Sequence, residues 1–138
     1  MKFENNKIKI EYPDKWTEQE HTIKDCLLVL DHKDKRSRIM LMENPNQAVN
    51  INHLKSAVEL FPRDESLKVL ESRINTINNM PIHELTAINP NCSPPLKTKS
   101  IGFIDNKDVY IFNYMTFGLN NHEDDEFNQI LESVEFKS

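Results

Sequence analysis

At 138 residues, with 38% apolar and 28% charged residues and a formal charge of −5, the chain has the size and balance of a single water-soluble domain with one core. No run reaches the roughly 18 apolar residues of a membrane span, no basic stripe offers the phosphate contacts of a nucleic-acid binder, and two glycines, Gly102 and Gly118, cannot build a phosphate-cradling loop. The opening MKFENNKIKIEYP has no apolar h-region, so it is not a secretory signal and a cytoplasmic location is expected.

Ile8, Ile10 and Tyr12 alternate with Lys7, Lys9 and Glu11, the period of a strand with one buried face. Lys2 to Glu4 can pair with it through a turn at Asn5-Asn6, since Asn tolerates positive φ. Pro13 stops the ladder because it lacks an N–H, and Trp16 is expected to close the corner as a core aromatic. Cys26 to Leu30 and Ile39 to Met42 are short apolar runs suited to central strands. The charged stretch Lys33-Asp34-Lys35-Arg36-Ser37-Arg38 between them reads as a solvated hairpin turn.

Residues 43 to 50 read as a loop. From Ile51 the period changes: Ile51, Leu54, Ala57, Val58 and Phe61 mark a helix face that Pro62 ends, with a turn over Phe61 to Glu65. Leu67 to Ile77 fits a long strand with a bulge, followed by a hairpin turn at Asn78-Asn79-Met80-Pro81 and a return strand to Ala87. Three prolines between Asn89 and Pro95 mark a surface loop. Lys99 to Ile104 and Asp108 to Phe117 form a hairpin. In its second strand Val109, Ile111, Met115 and Phe117 face one way and Tyr110, Phe112 and Tyr114 the other, so this strand is central and its aromatics are core beneath helices. Phe127, Ile130, Leu131 and Val134 form a helix stripe, and Glu135-Phe136 a possible last strand.

Chemistry-bearing patterns are sparse. There is no G-x-S-x-G elbow, and His21, His32, His53, His83 and His122 have no partner at metal-ligand spacing. The best case for a cation is His122-Glu123-Asp124-Asp125-Glu126, but acids at a helix start interact favourably with the helix dipole and need no ion. Glu18, Glu20 and His21 read as exposed. Cys26 and Cys92 belong to no CxxC pattern and are expected as free thiols; Asn91-Cys92-Ser93 matches a glycosylation triplet that an unexported chain would not use. No catalytic residue, cofactor or metal is assigned.

The opening KFENNKIKIEYPDKW, the middle hairpin INNMPIHELTA, the strand DVYIFNYMTF and the closing FNQILESVEF resemble the PsbP family, named for an extrinsic subunit of photosystem II. The sharpest matches are Tyr12-Pro13-x-x-Trp16 and Phe127-x-x-Ile130-Leu131-x-Ser133-x-x-Phe136. The resemblance implies an α+β fold, an α/β/α sandwich whose largely antiparallel sheet of about six or seven strands carries helices on both faces. Asn79-Met80-Pro81 stands where relatives commonly carry a Gly before the Pro. The resemblance carries over no catalytic residues.

A non-enzymatic binding or accessory domain with a protein partner is therefore expected. Two alternatives are weaker: a chaperone-like binder of an apolar client helix, which needs an open apolar sheet face, and a hydrolase or metal-dependent enzyme, which needs a polar cleft joining His83, Glu84 or the acids at 122 to 126.

Overall fold

Alternation along residues 8 to 12 is realised as expected: Ile8, Ile10 and Tyr12 are buried and Glu11 is exposed. The computed structural model describes residues 1–44, 52, 68–105, 108–118 and 122–137. In chain order these form β1 (Lys2–Glu4), β2 (Ile8–Glu11), β3 (Trp16–Glu18), β4 (Cys26–His32), β5 (Ser37–Asn44), β6 (Lys68–Ile77), β7 (Met80–Asn89), β8 (Leu96–Asp105), β9 (Asp108–Phe117), helix α1 (His122–Glu132) and β10 (Glu135–Phe136). The helix expected over Ile51 to Phe61 and the turn after it lie outside the described residues, apart from Asn52, which is helical and exposed.

β3 to β9 form a seven-stranded antiparallel sheet in the order β3-β4-β5-β9-β8-β7-β6. β1, β2 and β10 form a separate three-stranded sheet. The expected antiparallel pairing and strand count hold, but the sandwich with helices on both faces does not: strand dominates, and α1 is the one helix of more than a single described residue. The physical reason is that the aromatic row of β9, Tyr110 to Tyr114, is covered by two different elements, a helix and a small sheet. α1 covers the Tyr114 end, where Phe127 stacks on Tyr114 at 4.7 Å, and the small sheet covers the other, where Phe136 lies 5.3 Å from Tyr110 and 5.9 Å from Phe103. Each such aromatic pair adds about 0.5–1.5 kcal/mol beyond its burial.

Both faces of β9 are buried except at its last residue: Phe117, expected in the core with the other aromatics, is 42% exposed because it stands at the strand's end. Tyr110, Phe112 and Tyr114 join the larger core with Trp16, Ile8, Ile10 and the helix stripe; Val109 and Ile111 join Met42, Leu85 and Ala87 in a second cluster on the opposite face. β6 is an edge strand exposed almost throughout, with Lys68, Glu71 and Arg73 along it, and charges of this kind discourage edge-to-edge pairing. Its expected bulge is a register shift between Val69 and Glu71.

The turns refine the sequence reading. At Asn5 no positive φ is needed: the side-chain Oδ1 accepts hydrogen bonds from the backbone N–H groups of Lys7 and Ile8, at 2.8 and 2.9 Å, and so shapes the turn itself. Between β6 and β7, Asn78 and Asn79 both have positive φ (51° and 65°), the backbone of a two-residue turn that matches strand twist. Asn78 also donates from Nδ2 to the backbone carbonyl of Glu132 at 2.6 Å, tying this hairpin to the last turn of α1. Ser133 joins the helix end to β2: its Oγ accepts from the Glu11 N–H at 2.9 Å and lies 2.6 Å from the Ile130 carbonyl.

The two asparagines therefore respond differently to the same change. Asn79→Gly relieves a left-handed side-chain residue and raises stability by up to about 1 kcal/mol, whereas Asn78→Gly also deletes a hydrogen bond worth about 1 kcal/mol and gives no gain. Urea midpoints of the two variants, read at constant m-value, check this.

Candidate functional site

The stripe that anchors α1 runs through Phe127, Ile130, Leu131 and the following Val134, all buried. Position 123 lies four residues before Phe127, one turn along the same face. Docking the apolar stripe on the sheet therefore drives Glu123 inward, and it is only 2% exposed. A carboxylate taken out of water has to be matched by positive charge or by hydrogen bonds. The β4–β5 hairpin supplies them.

Arg36 donates from Nη2 to Glu123 Oε1 at 2.9 Å, and the same nitrogen lies 3.3 Å from Asp34 Oδ2. His32, at the end of β4, sets Nδ1 3.0 Å from Asp34 Oδ1 and 3.8 Å from Glu123 Oε1. Its other ring nitrogen, Nε2, lies 3.6 Å from Glu126 Oε1. Glu126 is fixed in turn by Trp16, whose indole Nε1–H donates to Oε2 at 2.7 Å while its ring meets the imidazole edge-on at 5.0 Å. Beside this group, Asp124 accepts from Lys97 Nζ at 2.6 Å and from the Tyr114 hydroxyl at 2.7 Å. Burial, with the bond to Asp124, raises the Tyr114 hydroxyl well above its ordinary value, so it serves as a donor. Ser37 and Thr116 share a 2.7 Å hydrogen bond on the adjoining rungs of β5 and β9.

The hairpin turn is thus more than a solvated charge run. Ser37 and Arg38 belong to β5, Ser37 is buried, and the turn is shaped by Lys35 at φ 61° and by the Asp34 carboxylate, which accepts the Arg36 N–H at 2.9 Å. Burial pushes the Asp34 carboxyl up, but hydrogen bonds shared with the Glu123 carboxyl, the Arg36 backbone and His32 outweigh it and hold the group at about 2.

At the same sheet end is an open groove of about 750 Å³, lined in part by His32 and Arg36 of this cluster. Lys33, Lys35, Arg36 and Arg38 line it together with Met115 and Phe117, and Phe117 is 42% exposed. Arg38 is held by Asp31 through two hydrogen bonds of 2.7 and 3.0 Å; Lys33 and Lys35 project from the turn and are exposed.

Of the residues singled out from the sequence, His122 and Asp125 are exposed at the helix start, while Glu123, Asp124 and Glu126 each meet a named partner on the sheet, which the dipole reading alone does not provide. His83 and Glu84 are successive residues of β7 and point to opposite faces, His83 toward Ser72 (2.8 Å) and Glu84 toward Arg73 (2.8 Å), so they do not share a cleft. Glu18 and Glu20 are exposed, and His21 accepts the Ile23 N–H. Cys26 and Cys92 are both free and half-buried. His53 lies outside the described residues. Sequence reasoning missed the convergence of His32, Asp34 and Arg36 on Glu123. The available signal was the i, i+4 spacing of Glu123 and Phe127, together with the opposite charges of the turn KDKRSR and the helix start HEDDE.

Neither a family model nor a curated protein sequence matches the chain. Its fold is similar to solved structures at very low identity. The solution structure of cyanobacterial PsbP (CyanoP) from Synechocystis sp. PCC 6803 superposes with a TM-score of 0.65 at 6% identity, covering 99% of this chain and 91% of that one. A crystal structure from Bacteroides thetaiotaomicron gives a TM-score of 0.70 at 8% identity over 95% of this chain, which spans 45% of that longer protein. The immunity protein TplEi of Pseudomonas aeruginosa, solved in complex with "L" peptide, gives 0.50 at 10% identity, covering 95% of this chain and 59% of that one. The fold is therefore PsbP-like. No helix among the described residues is long and apolar enough to cross a membrane.

The Asp34 arrangement has a pH signature. Its folded-state value, about 2, lies below the ordinary 3.8, so its contribution to stability is complete above about pH 4 and is lost as pH falls from about 4 toward 2. The side chain is 36% exposed, so solvent screens the effect. Urea unfolding of Asp34→Asn at pH 7, 4, 3 and 2 should show a shallower acid-side loss than the parent chain.

Proposed function

We propose that this chain is a non-catalytic, PsbP-related binding domain that holds an acidic segment of a protein partner in the groove beside the β4–β5 turn. The observation that carries the reading is the groove itself. In a chain of net charge −5, it gathers four basic side chains against one acid, Asp31, with an exposed aromatic in its lining. Lys33 and Lys35 can meet carboxylates at the rim while Phe117 and Met115 offer apolar contact to the segment's side chains, the usual division between a polar rim and an apolar centre. With Arg36 and Arg38 already bound to acids of the chain, two lysines are too few for a phosphate backbone, which calls for about six or more contacts.

The PsbP-like fold and the peptide-bound immunity protein of similar fold support a binding role. A client-helix chaperone is less well supported, because the second sheet face has Met42, Leu85, Ala87, Val109 and Ile111 buried. An enzyme built on His83 and Glu84 lacks a shared cleft, since the two face opposite ways.

Fluorescence anisotropy with a labelled peptide rich in Asp and Glu and containing Leu and Phe tests the proposal, with a single-stranded oligonucleotide of equal charge as comparator. Saturable peptide binding that weakens with salt is expected, falling by about tenfold or more in Lys33→Glu/Lys35→Glu, in keeping with electrostatic contacts. Equal binding by the charge-reversed variant, or preference for the oligonucleotide, would overturn it. Turnover of an ester, phosphate or peptide substrate that a single substitution abolishes would overturn the non-catalytic part.

A further inference from the structure

We propose that His32, Asp34 and Glu123 form a binding site for one divalent transition-metal ion of the zinc class, clamping the β4–β5 hairpin to the first turn of α1. One donor atom from each residue lies within 4.8 Å of the other two. Where zinc holds its ligands at about 2.0–2.1 Å in a tetrahedron, neighbouring donors are about 3.4 Å apart. The His32 Nδ1 separations of 3.0 Å to Asp34 Oδ1 and 3.8 Å to Glu123 Oε1 bracket that value.

His32 Nδ1 is the ring nitrogen that faces both acids. In the metal-free chain its proton lies toward Asp34 Oδ1 at 3.0 Å, and a bound ion takes the place of that proton. On the far side of the ring, Nε2 is buried without a hydrogen-bond partner, and Glu126 Oε1, on a side chain held by Trp16, is 3.6 Å away.

A second observation is independent of the cluster's own contacts. Glu123 is 98% buried, and although Oε1 takes Arg36, its Oε2 meets no hydrogen-bond donor. A buried carboxylate oxygen without a donor is costly, and it shares its carbon with the oxygen that faces His32. Arg36, bound to both Glu123 and Asp34, holds the place of a counter-charge, and its side chain is 46% exposed, leaving it room to swing away. The imidazole selects against calcium and magnesium, which take oxygen ligands. His32 and Arg36 also line the groove, but the metal is read at the His32 ring and the peptide at Lys33 and Lys35, so failure of one is distinguishable from failure of the other.

Isothermal titration of the full chain with zinc chloride, with the histidine ring nitrogens followed by NMR, decides the matter. One saturable equivalent is expected, shifting the Nδ1 resonance of His32 ahead of any other histidine. His32→Ala and Glu123→Gln should each weaken binding by about tenfold or more. Arg36→Gln should tighten it, since the competing cation is gone, and Cys26→Ser/Cys92→Ser should leave it unchanged. Circular dichroism checks that each variant is folded; where one is not, the His32 resonance of the parent chain gives the answer. No saturable binding, binding that follows the cysteines, or first shifts at another histidine would overturn the proposal.

Discussion

Tyr110, Phe112 and Tyr114 run in a row along one face of β9, and the elements that bury it come from the N-terminal and the C-terminal stretches of the chain. The rest of the fold follows from how the cover is shared. α1 seals the Tyr114 end with Phe127, while the small sheet seals the Tyr110 end with Phe136. Tyr12 and Trp16 close the corner between the two sheets as members of the same core. Because the stripe that docks α1 begins at Glu123, the cover brings a carboxylate into the interior at the end of the sheet. The charged hairpin is placed to meet it.

That order of causes explains why the polar cluster lies where it does. Apolar burial, worth about 25 cal/mol per Å², fixes the helix, and charge matching is arranged around the result. Trp16 and His32 come from strand ends and Arg36 from the turn after β4, so no local run of sequence displays the cluster. Asp124 is bound by Lys97 and Tyr114 from two more strands. The sheet end is thus stitched to the helix by side chains from β3, β4, β8, β9 and the β4–β5 turn.

Much of the fold was legible because its signals are local. The period of two in Ile8 to Tyr12, the two-faced apolarity of β9, the helix stripe from Phe127 and the turn at Asn78-Asn79 all rest on neighbouring residues, and all appear as read. The expectation of helices on both faces came from resemblance, and the division into two sheets overturns it. β1, β2 and β10 are each two to four residues long, too short for alternation to reveal which sheet they join. Glu123 was read as a dipole partner because it is acidic and early in the helix, whereas its phase with Phe127 decides its environment. The turn at Lys33 to Arg38 was read from charge alone, and charge does not tell whether its partner is water or a buried carboxylate.

The small sheet also sets an order of events. β2 gains its second neighbour only from β10, through Lys9↔Glu135 and Ile8↔Phe136, and the Ser133 bond to Glu11 spans 122 residues. Contacts so distant carry the largest loop-closure entropy and reward the chain last. During synthesis, Ile8 and Ile10 emerge early and wait for the helix and β10 before their face is fully covered. The seven-stranded sheet has no such dependence within its β6 to β9 meander, where each strand pairs with the one just made. The first residues of the chain are thus among the last to find their place.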